Sequence, residues 1–164
     1  YIESLKVENL TFAAPDVGST NRVREIANYF NAEMVICDKH RKRANEIASM
    51  VVIGDVTGKD IVIIDDICDT GGTLAKSAAL LKEKGARSVR ALITHPVLSG
   101  KAYENIENSV LEELVVCDTI PIRNECSKMK VISVAELFAV AIRNAFENKS
   151  ITRLFIHSQR RQSL

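Results

Sequence analysis

The chain has 164 residues, of which 46% are hydrophobic and 26% charged, and its formal net charge is +1. This balance is typical of one globular domain with a sizeable core. The near-neutral charge argues against a general nucleic-acid binder, which needs a basic excess or stripe. No apolar run approaches the roughly 20 residues of a membrane-spanning helix, and the first residues lack the pattern of a signal peptide. We therefore expect neither a membrane partner nor a nucleic-acid partner.

The cysteine and histidine residues do not indicate a metal site. The four cysteines are Cys37, Cys68, Cys117 and Cys126, and they form no CxxC pair. The three histidines are not spaced as zinc ligands are. Four reduced thiols are typical of a reducing compartment, so the sequence predicts a cytoplasmic protein.

Short apolar segments alternate with amphipathic ones along the chain. The predicted strands are residues 10–14, 33–37, 50–53, 61–64, 89–94, 114–117 and 130–132. The predicted helices are residues 22–30, 73–84, 101–106 and 134–148. Residues 61–64 are apolar on both faces, as in a central parallel strand. Such alternation predicts an α/β fold with a parallel sheet between two helical layers.

The remaining segments complete the predicted organisation. Residues 1–157 are expected to form one domain, and residues 158–164 form a polar tail. Residues 38–48 are polar, densely basic and without periodicity. This pattern predicts a loop that is mobile without ligand.

A loop of acidic, hydroxyl and glycine residues follows the most apolar predicted strand. It comprises residues 65–73 and has the sequence DDICDTGGT. Glycines let successive backbone N–H groups point at one anion, and the helix that follows adds its positive end. Carboxylates accept hydrogen bonds from sugar hydroxyls, so the loop suits a phosphorylated sugar better than bare phosphate. A capped turn without a ligand is the alternative, but it leaves three acidic groups beside an apolar strand unexplained.

Two further loops contain residues that suit a polyphosphate. Residues 15–19 can hold a diphosphate through the backbone, with Asp16 reaching a magnesium ion, although a plain turn explains them equally well. Residues 39–43 are basic and can close over a polyphosphate, whereas a solvated basic loop is the other interpretation. Ligands of such sheets bind at the carboxyl ends of the strands, so we expect the three loops to converge.

These motifs resemble those of a known family. DDICDTGGT resembles the 5-phosphoribosyl-1-pyrophosphate (PRPP) motif of type I phosphoribosyltransferase folds. More narrowly, the chain resembles the C-terminal half of the ribose-phosphate pyrophosphokinase (PRPP synthetase) family. The other segments that carry this resemblance are FAAPDVGS, DKHRKRANE, VVIGDVTGKDIVIIDD, THPVLSGKA, VVCDTIPI and NKSITRLF. The resemblance spans nearly the whole chain and implies a three-layer α/β/α domain of phosphoribosyltransferase type.

The resemblance implies a reaction in which ATP and ribose 5-phosphate give PRPP and AMP. It implies that Lys39 is a catalytic lysine and that Arg41 is its companion, able to grip phosphoryl oxygens in fork geometry. It also implies a pyrophosphate loop that contains Asp16, Gly18 and Ser19, with Asp16 as a contact to Mg²⁺.

The same resemblance assigns the sugar site. Asp65 and Asp66 are expected to hold the ribose hydroxyls. The 5-phosphate is expected to lie on the next part of the loop, which consists of Asp69, Thr70, Gly71, Gly72 and Thr73.

The chain departs from the family pattern in two ways. The family usually has two glycines where this chain has Gly18 and Ser19, which is tolerated if the φ of Ser19 is negative. PRPP synthetases contain two similar domains, and the resemblance covers only the second. We therefore expect the chain alone to bind ribose 5-phosphate but to turn over poorly, and the full-length protein to form a homo-oligomer. A non-catalytic PRPP synthetase-associated regulatory protein and an ordinary phosphoribosyltransferase remain alternatives.

Overall fold

The computed structural model describes the backbone of residues 1–43 and 46–155 and the side chains of residues 1–39 and 49–155. The strands in this part of the chain are β1 (Leu10–Ala14), β2 (Glu33–Arg43), β3 (Glu46–Ile53), β4 (Asp60–Cys68), β5 (Ser88–Pro96), β6 (Glu113–Cys117) and β7 (Met129–Ile132). The α-helices are α1 (Thr20–Phe30), α2 (Gly72–Glu83), α3 (Ala102–Glu107) and α4 (Ala135–Phe146). Single 3₁₀ turns lie at Ile2–Leu5 and Thr152–Leu154. The predicted tail, residues 158–164, lies outside the described residues.

The strands form one sheet in the order β3-β2-β1-β4-β5-β6-β7. Every neighbouring pair is parallel except β2 and β3, which are antiparallel. The predicted α/β fold with a parallel sheet is therefore confirmed, with one antiparallel strand added at an edge.

Two hydrophobic cores lie on opposite faces of the sheet. In β4, Ile61 and Ile63 belong to one core, whereas Val62 and Ile64 belong to the other. This follows from the period of two in a strand, which sends successive side chains to opposite faces. The first core includes residues of α2 and α3, and the second includes residues of α1. Helices therefore cover both faces, as the apolar run in β4 predicted.

The prediction of a loop over residues 38–48 was wrong for the described backbone. Residues 38–43 continue β2 and pair with β3, with Asp38 opposite Val51 and Lys39 opposite Met50. The register shifts twice near the far end of this hairpin, between His40 and Arg41 and again beyond Arg41. The charged sequence did not indicate a strand, because β2 is specified by its hydrogen bonds to the more apolar β3 and not by its own periodicity. Residues 44–45 lie outside the described residues.

The topology places three segments at one edge of the sheet. β1 ends at Ala14, next to β4, and β4 runs out to Cys68 beside Pro96 of β5. Chain segments that leave these strands therefore meet at their carboxyl ends.

In the part of the chain that the structure describes, no helix is both long and apolar enough to cross a membrane.

Candidate functional site

A cleft of about 420 Å³ opens at the carboxyl ends of the strands. It brings together residues from each of the three segments that were predicted to converge. Its lining includes Pro15, Lys39, Asp65, Asp69, Thr70, Gly71 and Thr73. Basic, acidic and hydroxyl groups thus share one cavity, which suits a ligand that carries both phosphate and sugar hydroxyls.

The acidic end of the cleft is formed by Asp65. Burial raises the pKa of this carboxyl to about 6, and the negative charges of Asp16 and Asp66 act in the same direction. Its Oδ1 atom accepts the backbone N–H of Asp66 at 3.0 Å. Three carboxylates therefore lie close enough to repel each other, and this end of the cleft favours hydrogen-bond donors and cations.

Asp16 and Lys39 link the first loop to β2. The Nζ atom of Lys39 lies 3.3 Å from Oδ2 of Asp16, and only 8% of the Lys39 side chain is exposed. Burial alone would raise the pKa of Asp16, but the Ser19 N–H and the Lys39 ammonium outweigh it and hold the pKa below its usual value. The ion pair fixes an otherwise flexible ammonium group at the wall of the cleft.

Ser19 adopts its position in the first loop without backbone strain. Its φ is −84°, so a side chain is tolerated where a second glycine was expected. The Ser19 N–H donates to Oδ1 of Asp16 at 3.0 Å, and the Ser19 hydroxyl donates to the Asp16 carbonyl oxygen at 3.0 Å. Both donors of Ser19 are thus used to shape the loop. Gly18 and Ser19 do not belong to the lining of the cleft.

The loop between β4 and α2 has its carbonyl groups held from outside the cleft. The carbonyl oxygens of Cys68 and Asp69 accept the backbone N–H groups of Leu98 and Ser99, both at 3.0 Å. The Ser99 hydroxyl also donates to the Asp69 carboxylate. The amide and carbonyl of one peptide group point in opposite directions. Leu98 and Ser99 do not line the cleft, so carbonyls anchored to them leave the loop suited to an anion within it.

The next two carbonyls of the same loop are held as well. The Nδ2 group of Asn105 in α3 donates to the Thr70 carbonyl at 2.8 Å, and the Ala75 N–H donates to the Gly71 carbonyl at 2.9 Å. Gly71 has a φ of +71°, and a Cβ atom there would lie 3.3 Å from the Ala102 carbonyl oxygen. The loop therefore rests directly on α3 and needs glycine at its tightest point.

Asn105 provides a test of this support. The Asn105→Ala variant leaves the Thr70 carbonyl free to turn, and we expect it to weaken the binding of inorganic phosphate about fivefold, or ~1 kcal/mol. Calorimetric titration measures the change. Asn108→Ala is the matched control, because Asn108 is exposed at the end of the same helix. Equal affinities of the Asn105 and Asn108 variants would contradict the supporting role.

The structure does not place all of the predicted residues in the lining of the cleft. Asp16, Asp66 and Gly72 are each next in the sequence to a residue that lines the cleft, but they do not line it themselves. Arg41 lies in β2, where its backbone pairs with Ile47, and its side chain lies outside the described residues.

Three residues near the cleft were not predicted. Ser99 and Asn105 support the loop, and Arg22 forms ion pairs with Asp65 and Asp66. In the sequence, Arg22 has the pattern of a solvent-facing residue on an amphipathic helix. Its place at the start of a helix, just after the first loop, was the one available signal.

A wider depression of about 740 Å³ lies elsewhere, between α3 and the segment before β7. Its lining includes the carboxylates Glu104, Glu107 and Glu125 and none of the predicted site residues. An acidic surface of this kind repels phosphates. The smaller cleft is therefore the better candidate for an anionic ligand.

The donor set near the cleft fits a magnesium ion only if a ligand completes it. Among the described residues, no group of three or more His, Cys, Asp or Glu side chains could hold a metal ion. Mg²⁺ is commonly bound by one or two carboxylates together with waters and substrate phosphates. Asp16, whose side chain is 41% exposed, fits that arrangement.

The chain matches a family model and curated proteins over most of its length. The model of the phosphoribosyl synthetase-associated domain matches residues 17–156. The ribose-phosphate pyrophosphokinase of Wolinella succinogenes is 50% identical over 156 residues, which are 95% of this chain and 50% of that protein. The one from Campylobacter jejuni is 48% identical with the same coverage. The chain thus spans about half the length of the curated relatives it matches.

Solved structures agree with the fold. A phosphoribosylpyrophosphate synthetase from Mycobacterium smegmatis superposes with a TM-score of 0.79 at 34% identity, over 86% of this chain and 46% of that one. An adenine phosphoribosyltransferase from Thermoanaerobacter pseudethanolicus gives a TM-score of 0.50 at 21% identity, over 70% of this chain and 74% of that one. The predicted phosphoribosyltransferase-type fold is therefore confirmed.

Proposed function

The chain belongs to the phosphoribosyl synthetase-associated domain family, and on that premise we propose that it is the C-terminal half of a ribose-phosphate pyrophosphokinase. Such an enzyme transfers the β,γ-diphosphoryl group of ATP to the anomeric hydroxyl of ribose 5-phosphate, giving PRPP and AMP. The observation that carries the proposal is the single cleft in which Asp65, Lys39 and the loop before α2 meet. This chain would supply the sites for ribose 5-phosphate and pyrophosphate.

The ribose hydroxyls and the 5-phosphate of the substrate are assigned to two different ends of the cleft. Asp65 and Asp66 accept hydrogen bonds from the vicinal ribose hydroxyls, because ionised carboxylates are acceptors only. The 5-phosphate lies on the loop whose carbonyls are held from behind, at the N-terminus of α2, where the helix dipole favours an anion. The hydroxyls of Thr70 and Thr73 add donors.

The basic side chains serve the transferred group. The anomeric hydroxyl loses its proton to solvent as its oxygen bonds to the β-phosphorus, while the bond from that phosphorus to the α,β-bridging oxygen breaks and AMP leaves. Lys39 stabilises the negative charge of the phosphoryl oxygens from its fixed position at the wall. Arg41 would grip the same group from β2 in fork geometry.

Magnesium is the cofactor that we propose. Asp16 would hold it, directly or through water, together with oxygens of the polyphosphate. When bound, Mg²⁺ neutralises and orients the triphosphate. The Asp16 carboxylate is held ionised by Ser19 and Lys39 and is therefore prepared as an oxygen ligand.

The surface of α4 supports the view that the chain works within a larger protein. Its 12 residues include no buried one, and Phe138, Ile142 and Phe146 are exposed. Apolar groups gathered on one element are usually covered by another protein surface. We propose that the full-length enzyme has an N-terminal domain and forms a homo-oligomer. Four free cysteines support a cytoplasmic location.

A calorimetric titration of the chain with ribose 5-phosphate tests the proposal. We expect the wild-type chain to bind and the Asp69→Ala variant to lose most of the affinity, because Asp69 anchors the loop through Ser99. Asp55→Ala is the matched control, since Asp55 is an exposed turn carboxylate away from the cleft. An assay of AMP release from ATP, on the chain and on the enzyme that contains both halves, then separates binding from turnover.

The outcomes distinguish the candidate functions. Binding without AMP release from the chain alone, together with release from the complete enzyme, supports the proposal. Binding without release in either protein indicates a non-catalytic regulatory relative. If the wild-type chain does not bind ribose 5-phosphate, the assignment of the cleft to this sugar is wrong.

A further inference from the structure

Arg22 joins Asp65, which lines the cleft, to its neighbour Asp66. It lies in the first turn of α1, three residues after Ser19, and comes from outside the loop that holds Asp65 and Asp66. Its Nη2 atom donates to Oδ2 of Asp66 at 2.8 Å, and its Nη1 atom lies 3.5 Å from Oδ1 of Asp65. One guanidinium group thus spans both carboxylates.

The carboxylates need such a partner. Adjacent negative charges repel each other, and Asp65 also faces the charge of Asp16. The Asp66 side chain is 49% exposed, so packing alone does not set its orientation. A planar guanidinium with parallel N–H donors can fix two acceptors at once, which a single ammonium cannot do.

Holding the carboxylates from one side leaves acceptor positions for a ligand. Each ionised carboxylate has about four lone-pair sites, and Arg22 uses one oxygen of each. Vicinal sugar hydroxyls each donate one hydrogen, so they need two acceptors at a fixed separation. The ion pairs provide this by setting the separation of Asp65 and Asp66.

We propose that Arg22 is a positioning residue that orients Asp65 and Asp66 toward the two ribose hydroxyls and so sets the preference for ribose 5-phosphate over 2-deoxyribose 5-phosphate. This inference rests on the proposed function, because it assumes that the two carboxylates bind the sugar. It assigns Arg22 no contact with the phosphate, which lies at the other end of the cleft.

The helix offers a matched control. Arg24 is exposed and lies two positions further along α1. Residues two apart do not face the same side of a helix. Arg24 makes no ion pair with any residue that the structure describes. Its removal changes the net charge of the helix as much as the removal of Arg22 does.

The test is calorimetric titration of the 164-residue chain with ribose 5-phosphate, 2-deoxyribose 5-phosphate and inorganic phosphate. For Arg22→Ala we expect affinity for ribose 5-phosphate to fall about tenfold, a typical loss for a charged hydrogen-bonding partner. Affinity for 2-deoxyribose 5-phosphate should fall less, because it can engage only one of the two acceptors, and affinity for phosphate should not change. Arg22→Lys should restore part of the preference, and Arg24→Ala should match wild type.

Several results would overturn the inference. Wild-type selectivity in Arg22→Ala would show that the carboxylates are positioned without the guanidinium. Equal losses for all three ligands would indicate a general structural effect. Arg22→Gln, which keeps N–H donors without the charge, serves if the alanine variant does not fold, and unchanged selectivity in it has the same meaning. If the wild-type chain itself fails to bind ribose 5-phosphate, the proposed function fails and not this refinement alone.

Discussion

Replacement of Gly72 by alanine is expected to weaken binding of ribose 5-phosphate about a hundredfold, or ~2.7 kcal/mol, without lowering the free energy of unfolding. Gly72 is the first residue of α2, between two residues that line the cleft, Gly71 and Thr73, and its φ is not in the left-handed region. A Cβ atom at Gly72 would meet only the Thr70 hydroxyl, at 3.8 Å. The fold therefore gives no reason for glycine at this position, whereas a phosphate held by backbone N–H groups needs close approach.

Variants of two other glycines distinguish the effect of backbone strain from the loss of the anion site. Gly71→Ala should lower both stability and affinity, because the positive φ costs about 1–2 kcal/mol and the new Cβ would press on the Ala102 carbonyl. Gly58→Ala has a similar φ, +68°, but open space around the Cβ, and it lies before β4, at the opposite end of that strand from the loop. It should lower stability and leave affinity unchanged.

Thermal unfolding and calorimetric titration on the same three variants provide the measurements. The informative result is the contrast between two variants. Gly72→Ala should keep its stability and lose most of its affinity for ribose 5-phosphate, whereas Gly58→Ala should lose stability and keep its affinity. Wild-type affinity in Gly72→Ala would show that the phosphate does not approach the start of α2.

The central part of the fold was predictable because local pattern and tertiary role agree there. Residues 61–64 are apolar at every position, and the structure distributes them between the two cores. The acidic and glycine-rich loop that follows carries its own chemistry in consecutive residues. A contiguous motif of this kind can be interpreted before any contact is known.

The hairpin of β2 and β3 was not predictable in the same way. Residues 38–43 are almost all charged, and their strand exists because β3 provides the hydrogen-bond ladder. Cross-strand pairing is a tertiary property that a period in one segment does not reveal. The prediction that this segment closes over a polyphosphate stays a prediction.

The residues that support the loop and its carboxylates were not predicted for a related reason. Arg22, Ser99 and Asn105 lie 44, 30 and 35 residues from the loop positions that they contact. An arginine, a serine and an asparagine at helix or loop positions are ordinary in themselves. Only the topology, which brings the ends of β1, β4 and β5 together, gives them a role.

Replacement of Asp65 by asparagine is expected to stabilise the chain at pH 7.5 while it impairs sugar binding. Burial and neighbouring negative charges raise the pKa of Asp65 from 3.8 to about 6. Between these two values the folded state binds more protons than the unfolded state, so stability falls as the pH rises through this window. Above pH 6 the ionised carboxylate opposes folding, and a neutral amide of the same shape removes that penalty.

The pH dependence of unfolding gives the measurement. Asp65→Asn should melt at a higher temperature than wild type at pH 7.5 and at nearly the same temperature at pH 4, in buffer with EDTA. Asp60→Asn is the control of opposite sign: the hydrogen bond from Arg87 lowers the pKa of Asp60. Loss of the Asp60 charge in this variant should therefore destabilise the chain at pH 7.5. A lower melting temperature for Asp65→Asn at pH 7.5 would show that Arg22 stabilises the folded chain through Asp65 by more than the burial of this carboxylate opposes folding.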